Sequence, residues 1–120
     1  MMDAHQTLAA PIQIDRCRAV QIEIANFDNV AGPISLAVLL EDGTARRARA
    51  LYLGQKVIFS TLPGHFSVKS RPAFETLEFS LPAQADLRRF DEITLLVLPD
   101  IEHSLIAPRI AIEQFRLFPR

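Results

Sequence analysis

The 120-residue chain has no tryptophan, one tyrosine and one cysteine. With Cys17 alone, an intrachain disulfide is impossible, and a thiolate metal site or resolving thiol lacks its second member. The expectation is a buried, inert thiol, although Arg16 and Arg18 on either side would lower its pKa if it were exposed. Lysine is scarce, with only Lys56 and Lys69 among 13 basic residues, a bias that fits a GC-rich genome better than a recognition surface. Long apolar runs are missing: 34–40 and 93–98 are the longest, far below the ~20 residues of a membrane span. The opening "MMDAHQTLAAPIQID" lacks the basic start and continuous apolar segment of a secretory signal. A formal net charge of −1 supplies no global field toward nucleic acid or an anionic membrane, so neither nucleic acid nor direct membrane insertion is expected.

What is present is the make-up of one packed domain over 1–120, with 49% hydrophobic and 22% charged residues. A globule of this length buries roughly two-thirds of the surface its unfolded chain exposes. The doubled Met1 and Met2 fit an added start codon ahead of a domain excised from a longer protein.

Alternation with period two dominates. In "VQIEI", Val20, Ile22 and Ile24 alternate with Gln21 and Glu23; in "TLEFSL", Leu77, Phe79 and Leu81 alternate with Thr76, Glu78 and Ser80. "ISLAVLL" and "ITLLVL" are apolar at both parities, the mark of central strands covered on both sides. Turn residues separate these runs in "NFDNVAGP", "EDGT", "LPGH" and "LPDIEHSLIAP"; the Asp-Gly of "EDGT" suits a tight hairpin. Strands are expected at 11–15, 19–26, 34–41, 45–53, 56–60, 75–81, 93–98 and 109–118. A single helical turn is expected in 83–92, pinned by Leu87 and Phe90, and a long surface loop at 63–74. In the final stretch Ile110 and Ile112 share one parity and Phe115 and Leu117 the other, which demands either a bulge near Glu113 and Gln114 or a strand covered on both faces. No internal repeat or dividing linker occurs. The fold class is all-β: an antiparallel β-sandwich, a jelly-roll of about eight strands, with an immunoglobulin-like sandwich as the alternative.

The run "LRRFDEITLLVLPD", a loop, and then "APRIAIEQFRLFPR" resembles the end of the jelly-roll sandwich in galactose-binding-like and carbohydrate-binding-module-like domains. There a Phe-Asp-Glu-Ile entry leads to a penultimate strand and an Ile-x-x-Phe-x-Leu strand closes the fold. It also looks like the C-terminal β-domain of uncharacterised bacterial proteins, some of them membrane-anchored. The resemblance implies a binding module. The chain departs from sugar-binding relatives in having no Trp, its single Tyr52 inside the apolar "ALYLG", and most phenylalanines at core parity.

No nucleophile elbow surrounds any serine, and no triad spacing can be named, which argues against an enzyme. Polar side chains at Gln21, Glu23, Glu78 and Arg49 are the candidates to converge on a sugar ligand. Arg47 and Arg49 of "RRAR" share a strand parity and could present two guanidinium forks to carboxylate or phosphate groups, unless they serve as a solvated edge-protecting face; Arg88 and Arg89 form a second basic pair. Asp100, Glu102 and His103 are the candidate cation ligands in "DIEH", though adjacent extended residues point apart. Asp28, Glu41 and Asp42 could offer oxygens to calcium, the one cofactor considered, without a spaced calcium motif. His5, His65 and His103 lack metal-site pairing and read as solvated. The expected function is a non-catalytic binding or interaction module of a larger bacterial protein. Carbohydrate binding and protein association are its two competing forms, and a cation-dependent hydrolase is a third class.

Overall fold

A computed structural model describes residues 2–27, 33–44, 49–58, 61, 73–99 and 110–120. Seven strands follow one another along the chain: β1 (Met2–Gln13), β2 (Cys17–Asn26), β3 (Ile34–Asp42), β4 (Arg49–Val57), β5 (Ala73–Ser80), β6 (Arg89–Pro99) and β7 (Ile110–Pro119), with a 3₁₀ turn at Ile14–Arg16 before β2. They form two antiparallel sheets, ordered β1-β6-β3-β4 and β5-β2-β7, in a β-sandwich.

The alternation read in the sequence is the burial pattern of the strands. Val20, Ile22 and Ile24 of β2 are fully buried, as are Ile34, Leu36, Val38 and Leu40 of β3 and Ile93 and Leu95 of β6. Phe79 of β5 and Phe90 at the start of β6 belong to the same cluster and are almost fully buried. Each such side chain contributes about 1.5–3 kcal/mol relative to exposure. β3 and β6, apolar at both parities, lie side by side in the interior of the four-stranded sheet, as expected of such strands.

The structure corrects the expected outline in four places. There are seven described strands rather than about eight, because 45–53 and 56–60 are replaced by the single β4. Gly54, which looks like a breaker, is a bulge residue at φ 99°: Val38 pairs with Gly54 but Leu39 with Tyr52, leaving Leu53 unmatched. The first strand is not 11–15 but all of β1, and Ile14 and Asp15 lie in the 3₁₀ turn. No helical turn forms in 83–92. Leu87 and Phe90 are buried as expected, but on bent and extended chain, since Arg89 already opens β6. Of the loop expected at 63–74, residues 63–72 lie outside the described residues, and Phe74 belongs to β5.

β7 resolves its conflict of parity by the bulge. Glu23 pairs with Gln114 and Ile24 with Ile112, so Glu113 is the extra residue, and Ile110, Ile112, Phe115 and Leu117 all pack against the core. Deleting Glu113 should leave Ile112 and Phe115 two positions apart, so that Ile110, Ile112, Phe115 and Leu117 share one parity and a uniform pleat buries all four. The urea midpoint should then be unchanged or higher, whereas deleting Glu113 and Gln114 together should turn one apolar pair to solvent and cost about 2–4 kcal/mol at an unchanged slope. A loss on deleting Glu113 alone as large as that of the double deletion would contradict this account of the bulge.

Candidate functional site

The polar members of the alternating strands have to share a face once the apolar members are buried. In the three-stranded sheet the cross-strand rows are Glu78–Gln21–Arg116 and Thr76–Glu23–Gln114, flanked by Ser80–Ala19–Phe118 and Phe74–Ala25–Ala111. Opposite residues of an antiparallel pair have Cβ atoms about 4.5–5.5 Å apart. Gln21, Glu23 and Glu78, named from the sequence as candidates, are therefore neighbours on one open sheet face. Ala19 and Ala25 form its low floor. Arg116 Nη2 lies 3.4 Å from Glu23 Oε1, so the central cation and one carboxylate hold each other. Arg18 stands 5.3 Å from the Phe118 ring centroid at one end. At the other end Phe74 is 70% exposed and borders a small cleft of about 150 Å³ with Glu23, Thr76 and Glu113.

Thr76, Gln114, Arg116 and Phe74 were not singled out in the sequence. Parity alone could have added Thr76, which alternates with Leu77 and Phe79. Gln114 and Arg116 needed the bulge to be placed, and Phe74 had been assigned to a loop. Exposed aromatics are present although there is no Trp and most phenylalanines follow core parity: Phe74 is open, Phe27 is 47% exposed and Tyr52 is 54% exposed on β4.

Arg49 does not join that face. It lies on β4 in the other sheet, and its Nη1 donates a long 3.5 Å hydrogen bond to the Asp86 carbonyl. Arg47, Asp28 and the trio Asp100, Glu102 and His103 lie outside the described residues. Among the described residues no group of three or more His, Cys, Asp and Glu could hold a metal ion.

Of the calcium candidates, Asp42 is the hub of the β3–β4 turn. Its Oδ1 accepts the Thr44 amide at 3.0 Å and the Thr44 hydroxyl at 2.6 Å, and its Oδ2 accepts Arg89 Nε at 3.3 Å. Arg89 Nη2 also donates to Thr44 Oγ1 at 2.9 Å, and Asp91 Oδ1 accepts the Gly43 amide at 2.8 Å. Glu41 instead accepts the Thr94 hydroxyl at 2.9 Å; that hydroxyl also lies 2.8 Å from His5 Nδ1, whose Nε2 is 3.3 Å from Asp3 Oδ2. His5 is exposed, as expected, but it lies on β1 and not in a loop or tail, and its ring meets Thr94 of β6. Cys17 is buried, and burial pushes its thiol pKa up despite opposing hydrogen bonds and the nearby Arg120 and Arg18. The activated thiolate considered from its arginine neighbours is therefore not formed.

Comparison of the chain with protein-family models, with curated proteins and with solved structures finds no match.

The Thr44 hydroxyl and amide, together with Arg89, hold the Asp42 carboxyl below its ordinary value. A depressed folded-state pKa stabilises the fold above the unfolded-state value, about 3.9, and that contribution is lost as pH falls through the lower folded value. The expected outcome is a carboxyl titration of Asp42, followed by carbon NMR, with a midpoint below the usual aspartate range. Thr44→Ala should move it back upward. A midpoint unmoved by that substitution would rule out the hydroxyl as the main cause.

Proposed function

We propose that this chain is a non-catalytic jelly-roll binding module that takes a neutral oligosaccharide on the outer face of β5-β2-β7. The observation that carries the reading is the juxtaposition of Gln21, Glu23, Glu78, Thr76, Gln114 and Arg116 on one open face ending at an exposed Phe74. Amides, carboxylates and a guanidinium offer both donors and acceptors to hydroxyl groups, and an exposed ring offers a stacking surface to the C–H face of a sugar. The Arg116–Glu23 pair cancels the central charge, which favours a neutral ligand. The jelly-roll reading is supported by the chain path: every connection except the β3–β4 hairpin passes from one sheet to the other.

The test is thermal unfolding and amide NMR with a panel of neutral gluco-, xylo-, manno- and galacto-oligosaccharides. A bound ligand at ten times its Kd should add about 1.4 kcal/mol and raise Tm by several degrees. Shifts should concentrate on Gln21 and Gln114, and Phe74→Ala should weaken binding about tenfold without lowering stability, because its ring buries little. A panel without any shift would refute the reading.

One observation favours a second reading, association with a protein. The outer face of the four-stranded sheet brings half-buried Leu39, Leu96 and Leu98 alongside Tyr52 and the 43% exposed Val57. Contiguous apolar surface of this kind marks interaction sites. Sedimentation should then show concentration-dependent self-association that Tyr52→Ser weakens. A monomer at every concentration would remove self-association as the form this takes.

A further inference from the structure

Away from the sheet face, the fold gathers arginines that are far apart in sequence. The connections after β1, β3 and β5 all emerge at one end of the sandwich, where Ile14 donates its amide to the Arg88 carbonyl at 2.9 Å and Arg49 reaches the Asp86 carbonyl. Between them lies a cleft of about 360 Å³ lined by Asp42, Arg49, Asp86, Leu87, Arg88 and Arg89. An adjoining cleft of about 410 Å³ shares Leu87, Arg88 and Arg89 and runs toward Gln13 and Asp15. Each volume falls in the lower range of small-molecule sites, about 300–1,000 Å³.

The charges in the smaller cleft are unequally committed. Arg89 is used: it holds Asp42 and Thr44 where β3 ends, on one side of the cleft. Among the described residues Arg49 has only its long bond to a carbonyl. The Arg88 guanidinium has neither a hydrogen bond nor an ion pair with a described residue, although its main chain is pinned by the Ile14 amide. Two guanidinium groups with most of their donors unused by the described residues therefore flank a cleft whose third arginine is already neutralised. Guanidinium forks match the planar geometry of carboxylate and the oxygens of phosphate. Asp86 at the rim supplies an acceptor for hydroxyl donors, and Leu87, buried beneath, contributes an apolar base.

We propose that this cleft is a second binding site, independent of the sheet face, for a small polyhydroxylated anion: one carboxylate or phosphate group held by Arg49 and Arg88, with hydroxyls directed to Asp86. The carboxylate could belong to an acidic sugar and the phosphate to a phosphorylated polyol; the chemistry of recognition is the same.

The experiment is calorimetric and NMR titration of the full chain with D-glucuronate, with glycerol phosphate, and with D-glucose as the uncharged control. One or both anions should bind more tightly than glucose, move the amides of 86–89, and weaken as salt is raised. Arg49→Gln and Arg88→Gln, both at exposed positions, should each weaken binding about tenfold, the scale of one lost charged hydrogen bond. Phe74→Ala on the sheet face should leave it unchanged. Which anion binds assigns the source of the charge. If neither binds more tightly than glucose, or if the binding survives in the Arg49→Gln/Arg88→Gln double variant with an unchanged Tm, the proposal is overturned. Failure here leaves the sheet-face reading standing, because that reading is probed with neutral sugars and different residues.

Discussion

The phase of β2 constrains everything around it. Val20, Ile22 and Ile24 have no exposed surface, and a strand flanked on both sides can satisfy its backbone only if both neighbours adopt its register. A slip of one residue in either neighbour would send that strand's entire apolar set to solvent. β5 and β7 consequently copy the phase, and their polar residues have no choice of face. The candidate binding surface is thus the complement of the core. Gln21 and Glu23 are brought beside Thr76, Glu78, Gln114 and Arg116 by the same pleat that buries Leu77, Phe79, Phe115 and Leu117.

Keeping that phase to the ends of the sandwich requires extra residues: one, Arg18, lies on the central β2, unmatched between Cys17 and Ala19, and the other irregularities fall on edge strands. β7 carries its surplus at Glu113, β4 at Leu53 beside Gly54, and β1 between Thr7 and Ile12. An edge strand has one partner, so an unmatched residue there disrupts a single ladder. It also twists the free edge away from pairing with another chain. Charge does related work on β4, where Lys56 sits 5.6 Å from the Phe79 ring centroid and leans across the side of the sandwich toward the other sheet. No Cβ at Gly54 would meet an atom within 4 Å, so the demand for glycine there is backbone conformation and not space.

Legibility in the sequence follows from how local each determinant is. β2, β3 and β5 were visible because alternation is a property of consecutive residues, and the need for a bulge or double cover in β7 was visible because two apolar pairs of opposite parity cannot both face inward. β1 was mostly invisible: Asp3, His5, Gln6 and Thr7 are exposed, and the strand exists through pairing with β6 some ninety residues away, seen in Thr94 opposite His5. Gly54 misled because breaker and bulge look the same until the partner strand is known. The polar face was half legible, since Gln21, Glu23 and Glu78 could be named but not the strand order that sets Arg116 beside them. The arginine cleft was legible only as two separate basic stretches, because Arg49 and Arg88 meet through topology alone.

Charge separates the two candidate surfaces more sharply than position does. On the sheet face the cation is spent internally on Glu23, and the remaining Glu78 would repel an anion. At the end of the sandwich the opposite holds: Arg89 is spent on Asp42, and Arg49 and Arg88 remain with donors to give. Each internal ion pair thereby decides which charge is left over in its surroundings. Direct contacts with hydroxyls and a ring on the sheet face depend little on ionic strength, whereas an exposed guanidinium–anion contact is screened within a Debye length of about 8 Å at physiological salt. If both proposals hold, one domain offers a salt-tolerant surface to neutral ligands and a salt-sensitive one to anions, built from the same alternation of inward apolar and outward polar residues.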